Sequence, residues 1–244
     1  MSGALAVAAG TSPARTVLIV AAVLSGQLTI GWTNDLLDRG RDRTVGRSDK
    51  PLATGELSVG RVQAACGIAV AATVLLSFMC GLAAGLVHLG CVAAGWAYNL
   101  GLKSTVWSWV PYAVAFGGLT VFVALAGPAG ALPPAWIPIV AALLGVGAHL
   151  VNVLPDLDDD EATGVRGLPH RLGARRTRVA AVVALGGASL IVVIAGDAPT
   201  GLRLGALLLV AALGVVALVT RGRVPFWAAV GIALVDATLL VLAR

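Results

Sequence analysis

Two acidic rows stand out against an otherwise apolar chain. The first runs Asn34-Asp35-Leu36-Leu37-Asp38-Arg39-Gly40-Arg41-Asp42, with Gly46 following. The second runs Asn152-Val153-Leu154-Pro155-Asp156-Leu157-Asp158-Asp159-Asp160, with Gly164 following. Asn34, Asp38, Asp42 and Gly46 match Asn152, Asp156, Asp160 and Gly164 at a constant offset of 118 residues. Residues four apart share one face of a helix, so each row is expected to present a line of oxygen ligands. Carboxylates one turn apart repel by roughly 3 kcal/mol at an effective dielectric near 20. Such a gathering needs a neutralising partner. Hard divalent cations take oxygen ligands, and Mg2+ typically uses one or two carboxylates and completes its shell with water and substrate phosphates. The two rows therefore read as two halves of one metal–diphosphate site. Asp35, Asp38, Asp42, Asp156 and Asp160 are its candidate metal ligands, and Asn34 and Asn152 are candidate neutral ligands or water-positioning groups. Asp158, Asp159 and Glu161 fall off the main face and read as solvated or ligand-orienting groups.

The elements that position these rows follow from composition. Of 244 residues, 58% are hydrophobic and only 12% charged, with mean hydropathy +0.93. A soluble domain carries roughly 25% charged residues. Apolar runs of about 20 residues recur along the chain, each long enough to cross roughly 30 Å of hydrocarbon, and in lipid such runs must be helical. The expectation is an all-α polytopic transmembrane bundle of about eight spans, near 15–37, 58–79, 82–100, 106–126, 135–155, 177–196, 202–220 and 224–243. The offset between the rows covers four spans. This predicts one membrane domain over 1–244 built as two four-helix halves, about 15–126 and 135–243, around a central cavity.

Charge placement supports that span order. Fourteen of the 17 Lys and Arg residues fall in loops on one side, leaving Arg15, Arg203 and Arg244 on the other. By the positive-inside rule both acidic rows and the Lys103 loop face the cytoplasm of a multi-pass cell-membrane protein, with both termini outside. Topology thus accounts for the net charge of +5, and no nucleic-acid motif is present. Cys66, Cys80 and Cys91 lie in apolar segments without C-x-x-C spacing and read as small core residues. Met1 to Thr11 lacks a basic region ahead of its apolar stretch, so no signal peptide is read there.

Asn34-Asp35-x-x-Asp38-x-x-x-Asp42, followed by Arg47-Ser48-Asp49-Lys50-Pro51-Leu52-Ala53-Thr54-Gly55, resembles the signature of the UbiA superfamily of intramembrane prenyltransferases. Asp156 to Asp160 matches that family's second D-x-x-x-D motif, and Gly164, Arg166, Leu168, Arg171, Leu172 and Gly173 fit its trailer. Tyr98-Asn99-Leu100-Gly101-Leu102-Lys103 is similar to its Tyr/Lys segment. The resemblance implies Mg2+ ions joining the two Asp clusters to a prenyl diphosphate whose tail lies in the bundle. Asp35, Asp38, Asp156 and Asp160 would be the catalytic acids. Ionisation of the C–O bond leaves an allylic cation for a small acceptor to capture, an aromatic acceptor being the commonest case in the family. Members usually have nine spans with the first motif after the second, so the family's first helix is expected here to be missing or reduced to an apolar remnant before residue 15.

Arg47, Lys50 and Lys103 are the candidate diphosphate contacts, since fixed cations complement phosphate oxygens; each also reads as a topology signal. Tyr98 is the one candidate kept for the electron-rich wall that a carbocation requires, whereas Trp107 and Trp109 read more readily as interfacial anchors. His149, three residues before Asn152, reads as a proton acceptor or as a packed polar group. Asp236, an acid in the last span with no evident partner, is left out of the site. A terpene cyclase of the same superfamily and a non-catalytic transporter or scaffold are the alternatives. The D-G-x-x-A-R pattern of CDP-alcohol phosphotransferases is absent.

Overall fold

A computed structural model describes residues 2–157, 160, 164–220 and 224–242. The off-face acids Asp158, Asp159 and Glu161, and the basic Arg221, Arg223 and Arg244, lie outside the described residues. Among the described residues ten α-helices follow in chain order: α1 Ser2–Ala8, α2 Pro13–Thr44, α3 Pro51–Thr54, α4 Val59–Met79, α5 Leu82–Asn99, α6 Val110–Ala126, α7 Trp136–Val153, α8 Leu168–Ala195, α9 Thr200–Val219 and α10 Val224–Leu242. Six of them (α2, α4, α7 with its extension to Asp156, α8, α9 and α10) are long and apolar enough to cross a membrane, and α6 is a shorter apolar helix. With α5, these make eight long helices among the described residues. Large apolar side chains such as Ile68, Val183, Ile194 and Leu208 project outward, as a lipid-facing surface requires. The chain is a multi-pass helical membrane protein.

The helices form two groups with separate cores. In the first, Ile19 and Ala22 of α2, Ala84 of α5 and Phe122, Val123 and Ala126 of α6 enclose Leu5 and Ala6 of the short α1. In the second, α7 to α10 contribute Val140, Leu144, Leu185, Val192, Val210 and Ile232. Helix α7 joins the groups, packing on α6 and on α8. Two glycines permit this. A Cβ at Gly145 would sit 2.5 Å from the Tyr112 carbonyl oxygen, and one at Gly147 would sit 2.5 Å from the Leu185 side chain. Small residues let helix backbones approach in lipid, where apolar surface alone does not drive association.

Two arginines tie helices together at one end of the bundle. Arg15, at the start of α2, donates to Met79 O at 3.0 Å, Cys80 O at 2.6 Å and Ala126 O at 3.0 Å. It thereby satisfies terminal carbonyls of α4 and α6 that no helix partner can reach. Arg203 does the same for Val193 and Gly196 of α8. These cations mark the end opposite the acidic rows, in line with the sidedness read from the sequence. Cys66, Cys80 and Cys91 are buried and free, as expected of core residues.

Helix α2 begins with Ser12 as N-cap and Pro13 in its first turn, a combination suited to helix starts. Its 32 residues span about 48 Å, well beyond the ~30 Å of hydrocarbon. The extra three turns carry Asp35, Asp38 and Asp42 out of the apolar layer on one continuous helix.

Candidate active site

The first acidic row is held by a backbone closure that recurs in the second half. Helix α2 ends with Gly46 at φ +70°, and the Arg47 N–H donates to Asp42 O at 2.9 Å. In the second half Gly164 has φ +83°, and the Val165 N–H donates to Asp160 O at 2.9 Å. Donors and acceptors are again offset by 118 residues. Left-handed glycine followed by a six-to-one hydrogen bond is a common helix stop, and here it fixes where each acidic row ends.

Two first-row acids, Asp35 and Asp38, each meet a lysine. The segment after Gly46 turns back, and Pro51 opens α3, whose Leu52 is buried. Arg43 of α2 donates to the carbonyls of Leu52 and Ala53 at 3.4 and 3.3 Å. This folds α3 onto α2 and puts Lys50 Nζ 2.7 Å from Asp35 Oδ1. Lys103 arrives from the turn after α5, where Asn99 is anchored by donating to Ile30 O at 2.8 Å. Its Nζ lies 2.7 Å from both oxygens of Asp38. Gly167 lets the second half close on this turn, since a Cβ there would meet Lys103 O at 2.5 Å. Ser108 reinforces the contact, accepting from the Leu168 N–H at 3.1 Å and lying 3.0 Å from His149 Nε2.

The second row is built differently. Pro155 has no N–H to give and its ring clashes with the preceding turn, so α7 stops at Val153 and a 3-10 turn, Leu154–Asp156, follows. The expectation of one unbroken helical face fails here for that reason. Asn152 is exposed and lines a groove with Leu185, Ala229 and Ala233, away from the first row. Asp156 is exposed beside a cavity of about 680 Å3 that it shares with Ala174, Arg178, Phe226 and Trp227. Asp160 reaches the first row: its Oδ1 is 3.8 Å from Arg41 Nη1, while Arg41 Nη2 is 3.5 Å from Asp38 Oδ2. Burial pushes the Asp160 carboxyl up, against the pull of Arg41 and His170.

The remaining candidates divide. Tyr98 packs edge-on to Tyr112 at 5.3 Å between ring centroids and to His149 at 5.8 Å; Tyr112 also meets His149 at 4.8 Å and Phe116 at 6.4 Å. An aromatic wall thus forms from α5, α6 and α7. Asn34 is half-buried on the α2 face. Asp42 is buried within the last turns of α2. Arg47 turns to Asp49 in an exposed bidentate pair at 2.8 and 2.9 Å. That hydrogen bond raises the guanidinium further above its ordinary value and holds the Asp49 carboxyl down at about 2. Asp236, buried in the second core, is not without a partner: the Ser189 hydroxyl donates to its Oδ1 at 2.6 Å.

Sequence reasoning missed Arg41 and His170. Arg41 follows Asp38 by three residues, a spacing that places both on one helix face and was legible. His170, whose Nε2 lies 3.7 Å from Asp160 Oδ2, is brought there by the fold of α8 and had no local signal. Among the described residues, no three His, Cys, Asp or Glu side chains converge to hold a metal ion. These residues by themselves form no closed cage. Dispersed carboxylates flanked by cations fit a metal that takes part of its shell from phosphate oxygens.

Residues 1–240 match the model of the UbiA prenyltransferase family, and the chain belongs to that family. It is 33% identical over 172 residues to the bacteriochlorophyll synthase 33 kDa chain of Cereibacter sphaeroides, an alignment covering 64% of this chain and 55% of that protein. The chain thus spans about half the length of this curated relative. The fold is that of a UbiA homologue from Aeropyrum pernix K1, with a TM-score of 0.79, 17% identity, and 99% and 94% of the two chains covered. It is also that of a homologue from Archaeoglobus fulgidus bound to DMAPP and Mg2+, with a TM-score of 0.74, 18% identity, and 98% and 94% covered.

Proposed function

We propose that this chain is a Mg2+-dependent prenyltransferase that moves an isoprenoid chain from its diphosphate to a small acceptor, an aromatic one being the leading case. The observation that carries this reading is the meeting of acids from both halves around interleaved cations at one end of the bundle. Lys103 on Asp38 and Arg41 between Asp38 and Asp160 are its centre. The Archaeoglobus homologue bound to DMAPP and Mg2+ and the bacteriochlorophyll synthase relative support the same chemistry by likeness.

In this reading Asp35, Asp38, Asp42, Asp156 and Asp160 hold Mg2+, which when bound neutralises charge gathering on the departing diphosphate. Lys50 and Lys103 move from carboxylate to phosphate oxygens and supply positive charge where negative charge develops. Tyr98, Tyr112 and Phe116 present ring faces to the allylic cation left when the C–O bond ionises. The acceptor attacks that cation and gives up a proton, for which His149 in the same wall is the nearest imidazole candidate. Asn34 and Asn152 serve as neutral ligands or water anchors and Arg47 as an outer cation that swings in from Asp49. We further read 1–244 as one membrane domain of two half-repeats, about 15–126 and 135–243, in the cell membrane with the site facing the cytoplasm. The shared closure at Gly46 and Gly164 supports the repeat.

The test is pyrophosphate release by detergent-solubilised protein given C5 to C20 and longer prenyl diphosphates, with Mg2+ or EDTA and with an aromatic acceptor pool. Acceptor-dependent, Mg2+-dependent release with a prenylated product is expected. A cyclic hydrocarbon or alcohol formed without acceptor would replace transfer by cyclisation, and silence with every donor would reject both.

A further inference from the structure

We propose that Asp236 and Ser189 form the stop of the groove that takes the donor's isoprenoid tail, and that they hold this chain to short prenyl diphosphates of up to about C15. The inference rests on the prenyl-diphosphate reading above and adds to it the length of the chain that is moved.

Its basis is a register shared by α7, α8 and α10. The cavity of about 680 Å3 beside Asp156 is lined by Arg178 of α8 and Phe226 of α10. The groove of about 160 Å3 is lined by Asn152 and Ala148 of α7, Leu185 of α8 and Ala233 of α10. Leu185 follows Arg178 by seven residues, and Ala233 follows Phe226 by seven, two turns along one face of each helix. On α7, Asn152 and Ala148 lie four apart and lead inward from Asp156. The two spaces therefore stand in line, the wide one at the acidic end and the narrow one in the apolar layer. Asp156 connects this line to the diphosphate end, since its charge acts on Asp160 and on Arg47 of the first half.

The groove ends where α8 and α10 are clasped. Ser189 stands one turn beyond Leu185, and Asp236 three residues beyond Ala233, so both continue the faces that line it. The Ser189 hydroxyl donates to Asp236 Oδ1 at 2.6 Å. Both residues are buried, and Asp236 Oδ2 has no hydrogen-bond partner among the described residues. A tail that reached this carboxyl would press methyl groups against an oxygen whose missing bond they cannot supply, a costly contact in an apolar layer. From Phe226 to Asp236, α10 rises about 15 Å. A zigzag of C–C bonds near 1.5 Å gains about 1.3 Å per carbon, so about 12 main-chain carbons fill that depth. That is the main chain of a C15 tail, and a C20 tail overshoots by one isoprene unit.

Specificity constants of the full-length, detergent-solubilised chain for C10, C15 and C20 diphosphates test the stop, read as Mg2+-dependent pyrophosphate release with the aromatic acceptor pool. The parent should favour C15 over C20 about tenfold, the scale on which an apolar pocket rejects a misfit group. Asp236→Ala removes clasp and carboxyl together and should abolish that preference. Asp236→Asn keeps the size and still accepts from Ser189, so it should keep the parent's preference. Ala233→Leu narrows the groove before the stop and should move the optimum to C10; it carries the test if Asp236→Ala does not fold. Ser77→Ala, which removes a buried hydroxyl from the first half, should leave the ratio unmoved, as a merely structural role for Asp236 would also require of Asp236→Ala. A parent that prefers C20, or a C20-to-C15 ratio unmoved in Asp236→Ala and Ala233→Leu, would overturn the stop while leaving the prenyl-diphosphate reading intact. A parent silent with every donor would overturn that reading, and this inference with it.

Discussion

The two acidic rows share a sequence pattern yet are built on different backbones. The first lies on uninterrupted α2, and its acids Asp35 and Asp38 are each closed by a lysine at 2.7 Å. The second follows a helix stopped by Pro155, and its acids diverge, Asp156 towards a side cavity and Asp160 towards Arg41. What they keep in common is the closure that ends them, a left-handed glycine with a six-to-one backbone bond. A repeat can thus preserve where a row stops while changing how its side chains are aimed. One half sets two of its acids directly on lysines, and the other brings Asp160 to 3.8 Å from Arg41 of the first.

The contrast is sharpest where the first row is broken. Asp38→Asn removes the carboxylate that Lys103 and Arg41 both address, and should lower Mg2+-dependent pyrophosphate release by about 10³-fold. A loss under tenfold would shift the weight of the site to the second row. Lys103→Met keeps the stem but removes the charge, and should cost about 10²-fold in turnover with less change in KM. An effect confined to KM would make Lys103 a binding group alone.

The shared closure predicts a matched pair of smaller effects. Gly46→Ala and Gly164→Ala each force a Cβ into left-handed backbone, at roughly 1–2 kcal/mol. Thermal unfolding in detergent should show similar penalties for the two. Strongly unequal penalties would mean that the halves stop by different means.

The smallest effect belongs to Arg47 and Asp49. The carboxyl is held at about 2, below its ordinary 3.8, chiefly by the Arg47 hydrogen bond. A depressed carboxyl contributes stability that is fully present above its unfolded value and lost as pH falls through the folded one. Melting curves of parent and Asp49→Asn should therefore differ slightly at pH 7, and the difference should shrink as pH falls from about 4 towards 2. A large loss of turnover in Asp49→Asn at pH 7 would mean that Asp49 holds Arg47 in place for the reaction and does not merely release it.

Much of this was legible before the fold. Apolar runs and the distribution of arginine marked the helices and the acidic end, because lipid leaves the chain few alternatives. Four-residue spacing placed Asn34, Asp38 and Asp42 on one face, and Lys103 was distinguished by its isolation in a short turn. The 3-10 turn between Asn152 and Asp156 was not read, because spacing was weighed above Pro155, whose missing N–H interrupts the α-helix there. The Tyr98–Tyr112–His149 wall and the partner of Asp236 depend on packing between elements distant in sequence, which periodicity does not encode. His170 belongs with these. Arg41 was visible by spacing but masked by the general excess of cations on its side.

The most direct test is a double-mutant cycle on pyrophosphate release with Asp38→Asn, Asp160→Asn and the pair. If acids from the two halves serve one centre, each single variant should lose most activity and the double should lose little more, a coupling well beyond the ~0.5 kcal/mol of independent sites. Additive losses, or an Asp160→Asn enzyme as active as the parent, would contradict the account.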